Sequence, residues 1–282
     1  GGARVWDAVT GENALSLEHG HWVKSVAWSP DGSRIVTSSS GGARVWDAVT
    51  GENALSLDYD SWVRSVAWSP DGSRIVTGSG GGAWVWDAVT GKRLLSLEHG
   101  HWVKSVAWSP DGSRIATGPA FEGVRVWDAV TGKRLLSLKP SGEVKLVAWS
   151  PDGKRIAASF LDGGAWVWDA VTGKRLLSLK RSGEVKLVAW SPDGSRILTT
   201  YRRNEIRIWD VIAGEQESFF ITPLSEGEYV ALSADQTKVI RASAGAWRWL
   251  GRLAVLPDGK LERIPVEIDG PLPPLGPDAE VE

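Results

Sequence analysis

The chain has 282 residues, 42% hydrophobic and 23% charged, a composition that excludes a wholly disordered polymer and supplies enough apolar material for a sizeable core. Its 32 basic and 34 acidic residues leave a formal charge of -2, which excludes bulk electrostatic attraction to nucleic acid or to an anionic membrane. Cysteine is absent, so disulfides and thiolate chemistry are excluded, and a cytoplasmic location is expected.

Self-similarity dominates the sequence. Trp-Asp-Ala-Val-Thr-Gly begins at Trp6, Trp46, Trp86, Trp127 and Trp168, with worn copies at Trp209 and Trp249, in steps of 40 or 41 residues. A period of this size means one supersecondary unit repeated. Residues 1 to 18 read as the third and fourth strands of such a unit, so the sequence opens partway through a repeat and is expected to be part of something longer. The next unit is complete. Val23 to Trp28 is a short β-rich run, Ser29-Pro30-Asp31-Gly32 is a tight turn, and Arg34 to Thr37 is the returning strand. Proline presets one turn position and glycine accepts positive φ, as an antiparallel hairpin requires. Gly41 and Gly42 break the chain, Ala43 to Trp46 forms a third strand, Asp47 to Gly51 a turn, and Leu55 and Leu57 alternate along a fourth. Further first strands start at Val63, Val103, Val144 and Val185, and a worn sixth runs from Val230 to Asp235. Leu253 to Leu256 and Leu261 to Ile268 flank Pro257-Asp258-Gly259 as two more strands. From Asp269 the proline-rich, acidic sequence lacks a strand period, predicting one domain over 1–268 and a tail over 269–282.

A four-stranded sheet of this kind exposes apolar surface on both faces, so copies must stack face to face, and a ring removes the bare ends. The expectation is an all-β propeller. Val-Ala-Trp-Ser-Pro-Asp-Gly, followed about eighteen residues later by Val-Trp-Asp, resembles the WD-repeat family over residues 1 to 250. The resemblance implies a WD-repeat β-propeller. Phase counting gives seven blades with the N-terminal half-blade closed by the C-terminal segment, the alternatives being six blades or pairing between chains at exposed strand edges. A monomer is otherwise expected. Near-identical copies, worn last copies and the ending Ala244-Gly-Ala-Trp-Arg-Trp-Leu250 are also similar to C-terminal propellers of large bacterial signalling proteins.

WD-repeat blades often join a histidine, a second-strand hydroxyl, a turn aspartate and the third-strand tryptophan in a buried polar network. Six residues before each tryptophan stand Ser40, Gly80, Phe121, Asp162, Arg203 and Ser243, so the network is expected to be mostly absent. The four histidines form two His-Gly-His loops, His19 with His21 and His99 with His101. Without cysteine or a partnered carboxylate in the motif they fall short of a zinc site and read as loop or structural residues, so no metal or cofactor is expected. The chain carries 18 tryptophans, and those ending the first strands, Trp28, Trp68, Trp108, Trp149 and Trp190, are expected to pack between blades. Arginine and tryptophan alternate two residues before the third-strand tryptophans, at Arg4, Arg44, Trp84, Arg125, Trp166, Arg207 and Trp247, an arrangement expected to stack between neighbouring blades.

Two sets of residues are candidates for binding. After the initial valine of successive first strands come Lys24, Arg64, Lys104, Lys145 and Lys186, with Glu228 in the sixth. If the first strand is innermost, as the resemblance implies, they gather at one mouth of the channel as a cationic ring for an acidic peptide or small anion; the alternative is solvated strand ends copied with the repeat. Trp22, Trp62 and Trp102 precede three first strands and form a candidate partner-binding rim, or pack beneath the loops. No Ser-His-Asp or paired-carboxylate arrangement stands out of the repeated background, so no catalytic residue is assigned and no enzyme is expected. The function expected is a non-catalytic interaction scaffold or sensing module of a larger signalling protein, with a protein or peptide partner; the alternative is anion or small-ligand binding at the cationic mouth.

Overall fold

The computed structural model describes residues 1–57, 62–139, 142–161, 164–179, 185–201 and 206–211, and the backbone of strands at 220–223, 229–232, 239–242, 251–255 and 261–265. Among these the fold is all-β, without a helix. The chain divides into two compact units, Gly1–Gly194 and Ser195–Glu282.

In the first unit β1 (Gly2–Trp6) and β2 (Asn13–Glu18) form a two-stranded antiparallel sheet. Four four-stranded blades follow. The first comprises β3 (Ser25–Trp28), β4 (Arg34–Ser39), β5 (Gly42–Asp47) and β6 (Asn53–Leu57). The second comprises β7 (Val63–Trp68), β8 (Arg74–Ser79), β9 (Gly82–Asp87) and β10 (Arg93–Glu98). β11 (Val103–Trp108), β12 (Arg114–Pro119), β13 (Val124–Asp128) and β14 (Arg134–Leu138) make the third. β15 (Val144–Trp149), β16 (Arg155–Phe160), β17 (Ala165–Asp169) and β18 (Arg175–Leu179) make the fourth, and β19 (Val185–Trp190) ends the unit. In the second unit β20 (Arg196–Tyr201), β21 (Ile206–Asp210), β22 (Phe220–Pro223), β23 (Tyr229–Leu232) and β24 (Val239–Ala242) form an antiparallel meander, and β25 (Gly251–Val255) pairs with β26 (Leu261–Pro265).

Both turns of the unit are built by their aspartates. In the Trp-Asp turn, Asp47 Oδ1 accepts from the amides of Val49 (2.9 Å) and Thr50 (2.8 Å), while Gly51 takes φ +74° and its amide donates to Asp47 O. In the Ser-Pro-Asp-Gly turn, the Ser69 hydroxyl donates to Asp71 Oδ1 and accepts from the Arg74 amide at 2.9 Å, and the Ser73 amide and hydroxyl also reach Asp71. These aspartates are therefore turn-makers. The carboxyls of Asp31, Asp71 and Asp111 are each pulled down from 3.8 to about 2, chiefly by the serine hydroxyl that donates to them.

Burial falls from the second strand outward, since β4, β8, β12 and β16 are buried on both faces after their opening arginine, whereas β6 and β14 are largely exposed. First strands lie side by side in successive blades. Ser25, Ser65 and Ser105 accept through Oγ from the amides of Val66, Val106 and Val147 in the next blade. The tryptophan ending each first strand donates its indole N–H backward to the preceding blade, Trp68 to Ala27 O, Trp108 to Ala67 O and Trp149 to Ala107 O, at 3.2 to 3.3 Å. The arginine opening each second strand reaches forward. Arg74 and Arg114 lie 4.8 and 4.7 Å from the ring centroids of Trp108 and Trp149, and donate to Ala129 O and Ala170 O of the following blade.

Three expectations are corrected. Trp68, Trp108 and Trp149 pack between blades at 8% exposure, but Trp28 is 50% exposed because β1 and β2 form the sheet before it and supply no first strand to cover it. The arginine that stacks across blades is the one opening the second strand; two residues before the third-strand tryptophan, Arg44 instead lies 5.8 Å from Trp46 of its own strand. The worn first strand β23 does not begin a new sheet, since β22 hydrogen-bonds β21 on one side and β23 on the other. The sheets show no closed ring: β1–β2 and β25–β26 are each two-stranded sheets among the described residues. Glu228, Asp162, Arg203, Ser243, Trp247, Trp249 and the 269–282 tail lie outside the described residues.

Because these aspartates titrate lower when folded, their contribution is full above pH 3.8 and is lost as pH falls toward about 2. Replacing Ser69 and Ser109 by alanine is expected to lower stability most at neutral pH, with the difference from wild type narrowing near pH 2, as read by urea unfolding at the two pH values. Arg114→Lys removes the planar fork that spans Trp149, Ala170 O and Gly153 O. A loss of about 1–2 kcal/mol is expected in the same assay.

Candidate functional site

Both candidate sets sit where the chain enters the first strands of the first unit. Trp62 and Trp102 meet edge to face, their ring centroids 6.4 Å apart at 79°. Arg64, first-strand residue of the second blade, lays its guanidinium 4.6 Å from the Trp102 centroid and 6.0 Å from that of Trp62. Side-by-side first strands put Trp102 of the third blade within reach of Arg64 of the second. Trp62 and Trp102 remain 51% and 42% exposed. Trp22 stands apart at 82% exposure.

The cationic positions do not form a uniform ring. Glu143, at the entry to the fourth blade, pairs with the ammonium of Lys104 from the blade before and lies 3.2 Å from Lys145 Nζ of its own strand. Donation from Lys104, then from Lys145, holds the Glu143 carboxyl below its usual range. Lys24 and Lys186 are exposed, and Arg64 is occupied by aromatic faces. The strand entries thus divide into an aromatic sector and an ion-paired sector, a division produced by the change from Trp-Val at 62–63 and 102–103 to Glu-Val at 143–144.

The polar network is more complete than the motif count predicts. The indole N–H of Trp46, Trp86, Trp127 and Trp209 donates to Thr37, Thr77, Thr117 and Thr199 at 2.7 to 2.9 Å. Ala158 replaces the threonine of the fourth blade, and Trp168 turns to Lys139 O instead. In the third blade a carboxylate also joins. His99 packs edge to face on Trp127 with centroids 5.1 Å apart, and its Nδ1 lies 3.5 Å from Glu122 Oε2 and 3.4 Å from Arg125 Nη1, while Arg125 Nη2 lies 3.1 Å from Glu122. Burial, then the Arg125 charge, push the His99 ring down to about 4 against the pull of Glu122, so it is neutral at pH 7. Counting to Phe121 missed the carboxylate by one position, because the connection between β12 and β13 is longer than those of the first two blades; the legible signal was the 41-residue step.

The two histidines of each His-Gly-His loop part company. His19 is buried against Trp46 with neither ring nitrogen hydrogen-bonded among the described residues, and burial lowers its pKa. His21 is exposed, and His101 meets Phe121 at 5.7 Å. No group of three metal-ligating side chains converges among the described residues.

The described architecture is thus that of an all-β repeat protein of stacked four-stranded antiparallel blades. A model of the WD domain, G-beta repeat, matches residues 12–47 and 53–87. These two stretches match that repeat model and the same unit recurs in phase beyond them; WD repeats serve in general as scaffolds for protein interaction. A model of the eukaryotic translation initiation factor eIF2A matches residues 87–213, which hold the third and fourth blades. A search of curated proteins finds no match.

The two buried histidines give a contrast within one molecule. His19→Leu removes a ring with no polar partner and is expected to leave stability unchanged or raised, whereas His99→Leu removes one contact from a cluster in which Glu122 and Arg125 keep each other, and is expected to cost about 1 kcal/mol. Thermal unfolding of the two variants at pH 7 checks the sign of each.

Proposed function

We propose that the chain is a non-catalytic protein-interaction module that docks partners on the aromatic sector of its strand entries. The observation that carries this reading is the exposed Trp62–Trp102 pair with Arg64 against it. Aromatic rings fixed by edge-to-face packing present large contact area with little rotamer freedom left to lose, which is the character of an interface anchor. The scaffold role general to WD repeats supports it. The worn later copies and the sequence Ala244 to Leu250, similar to C-terminal propellers of large bacterial signalling proteins, favour a signalling role, and the lack of cysteine fits a cytoplasmic location.

The cationic-ring reading is weaker, because Glu143 is shared by two of its five members and offsets one of their two charges. The two readings separate by substitution. Immobilised wild-type chain is expected to retain partners from a lysate of the source organism that the Trp62→Ser, Trp102→Ser double variant loses, as quantified by mass spectrometry, while Lys24→Glu with Lys145→Glu leaves retention unchanged. Retention insensitive to the tryptophans overturns the proposal.

A further inference from the structure

Phe121 is the one non-glycine residue with positive φ among the described residues, at +70°, and its ring is 63% exposed. A bulky side chain held in the left-handed region is strained and persists only where its surroundings over-determine it. Those surroundings are visible. The Ala120 amide donates to Trp102 O at 2.8 Å, Glu122 is drawn inward to His99 and Arg125, and His101 meets the Phe121 ring edge to face. The strain therefore holds the exposed Phe121 ring against His101, the residue that precedes Trp102 in the chain.

Arg64 lies against Trp62 and Trp102. Its Nε is buried and makes no hydrogen bond, and its guanidinium has no carboxylate partner among the described residues, while the neighbouring Lys104 and Lys145 share Glu143. A guanidinium stacked on an indole is oriented, with its N–H edge left to act as a two-pronged donor. Charge complementarity then selects a carboxylate, and the rings beside it select an apolar side chain next in sequence.

We propose that Arg64, Trp62, Trp102 and Phe121 form a docking site for an acidic peptide segment of a partner protein, its carboxylate on the Arg64 guanidinium and its adjacent apolar side chain against the rings. This rests on the interaction-module reading above and names the chemistry of the partner. Inorganic phosphate would satisfy the guanidinium but leave the rings uncovered.

The test is fluorescence anisotropy of the whole chain with an end-capped, fluorescein-labelled peptide, Ser-Glu-Glu-Leu-Glu-Glu-Ser, against versions with Gln for every Glu or Gly for Leu. The acidic peptide is expected to bind, with affinity lowered about tenfold or more by the Gln version and by Arg64→Gln, and several-fold by the Gly version and by Phe121→Ala. Circular dichroism confirms that each variant is folded; the peptide series carries the test should Arg64→Gln fail to fold. Equal binding of the Glu and Gln peptides overturns the proposal, as does displacement by inorganic phosphate at concentrations matching the unlabelled peptide. Absence of peptide binding alongside tryptophan-dependent partner retention overturns this inference alone. Absence of both overturns the interaction-module reading with it.

Discussion

The indoles of Trp108 and Trp149, which end first strands, are clasped between two blades, the N–H on a backbone carbonyl behind and the preceding blade's arginine against the ring. The arginine continues past the ring to a carbonyl of the blade in front. One contact therefore buries a large apolar surface, satisfies an indole donor and places a guanidinium where its stem and face are covered while its N–H groups are paired. Its repetition fixes the spacing between first strands, and that spacing decides which strand-entry residues can touch. Arg64 reaches Trp102, and Lys104 reaches Glu143, because each contact crosses one blade boundary.

The repeat, its strand pairing and both turns were legible in the sequence because they are local: a Pro-Asp-Gly turn or an Asx turn is specified within a few residues. The Arg–Trp clasp was only half legible. Both residue types recur at fixed phase, but the partners lie 34 or 35 positions apart, Arg74 with Trp108 and Arg114 with Trp149, and periodicity alone gives every in-phase pair equal standing. Pairing within a phase is a matter of three-dimensional distance. The same reason hid the division of the strand entries: Lys104 and Lys145 are equivalent by sequence, whereas Glu143 makes them members of an ion network and leaves Arg64 in a different environment from both.

Trp28 serves as the internal control for the clasp. It ends the same Val-Ala-Trp sequence as Trp68 and Trp108, yet it is exposed along with Val26, so burial at this position comes from the preceding blade and not from the tryptophan's own sheet. Stability in the first unit is accordingly a property of neighbouring pairs, as in other stacked repeats, and side chains away from the boundaries are free to diverge with little effect on the stack.

The third blade illustrates what that freedom permits. Its connection between β12 and β13 runs from 120 to 123, where the first two blades have only two residues between second and third strands. The added length sends adjacent side chains in opposite directions, Glu122 inward to the His99 and Arg125 cluster and Phe121 outward, with the left-handed φ of Phe121 making the reversal. The inward carboxylate anchors the loop with a partly buried, charge-assisted pair, and an anchored loop can hold an exposed ring in a strained conformation. The polar cluster and the exposed ring are thus two faces of one small insertion, and the only blade with this complete His–Glu–Arg cluster among the described residues is the one whose loop holds Phe121 exposed against His101.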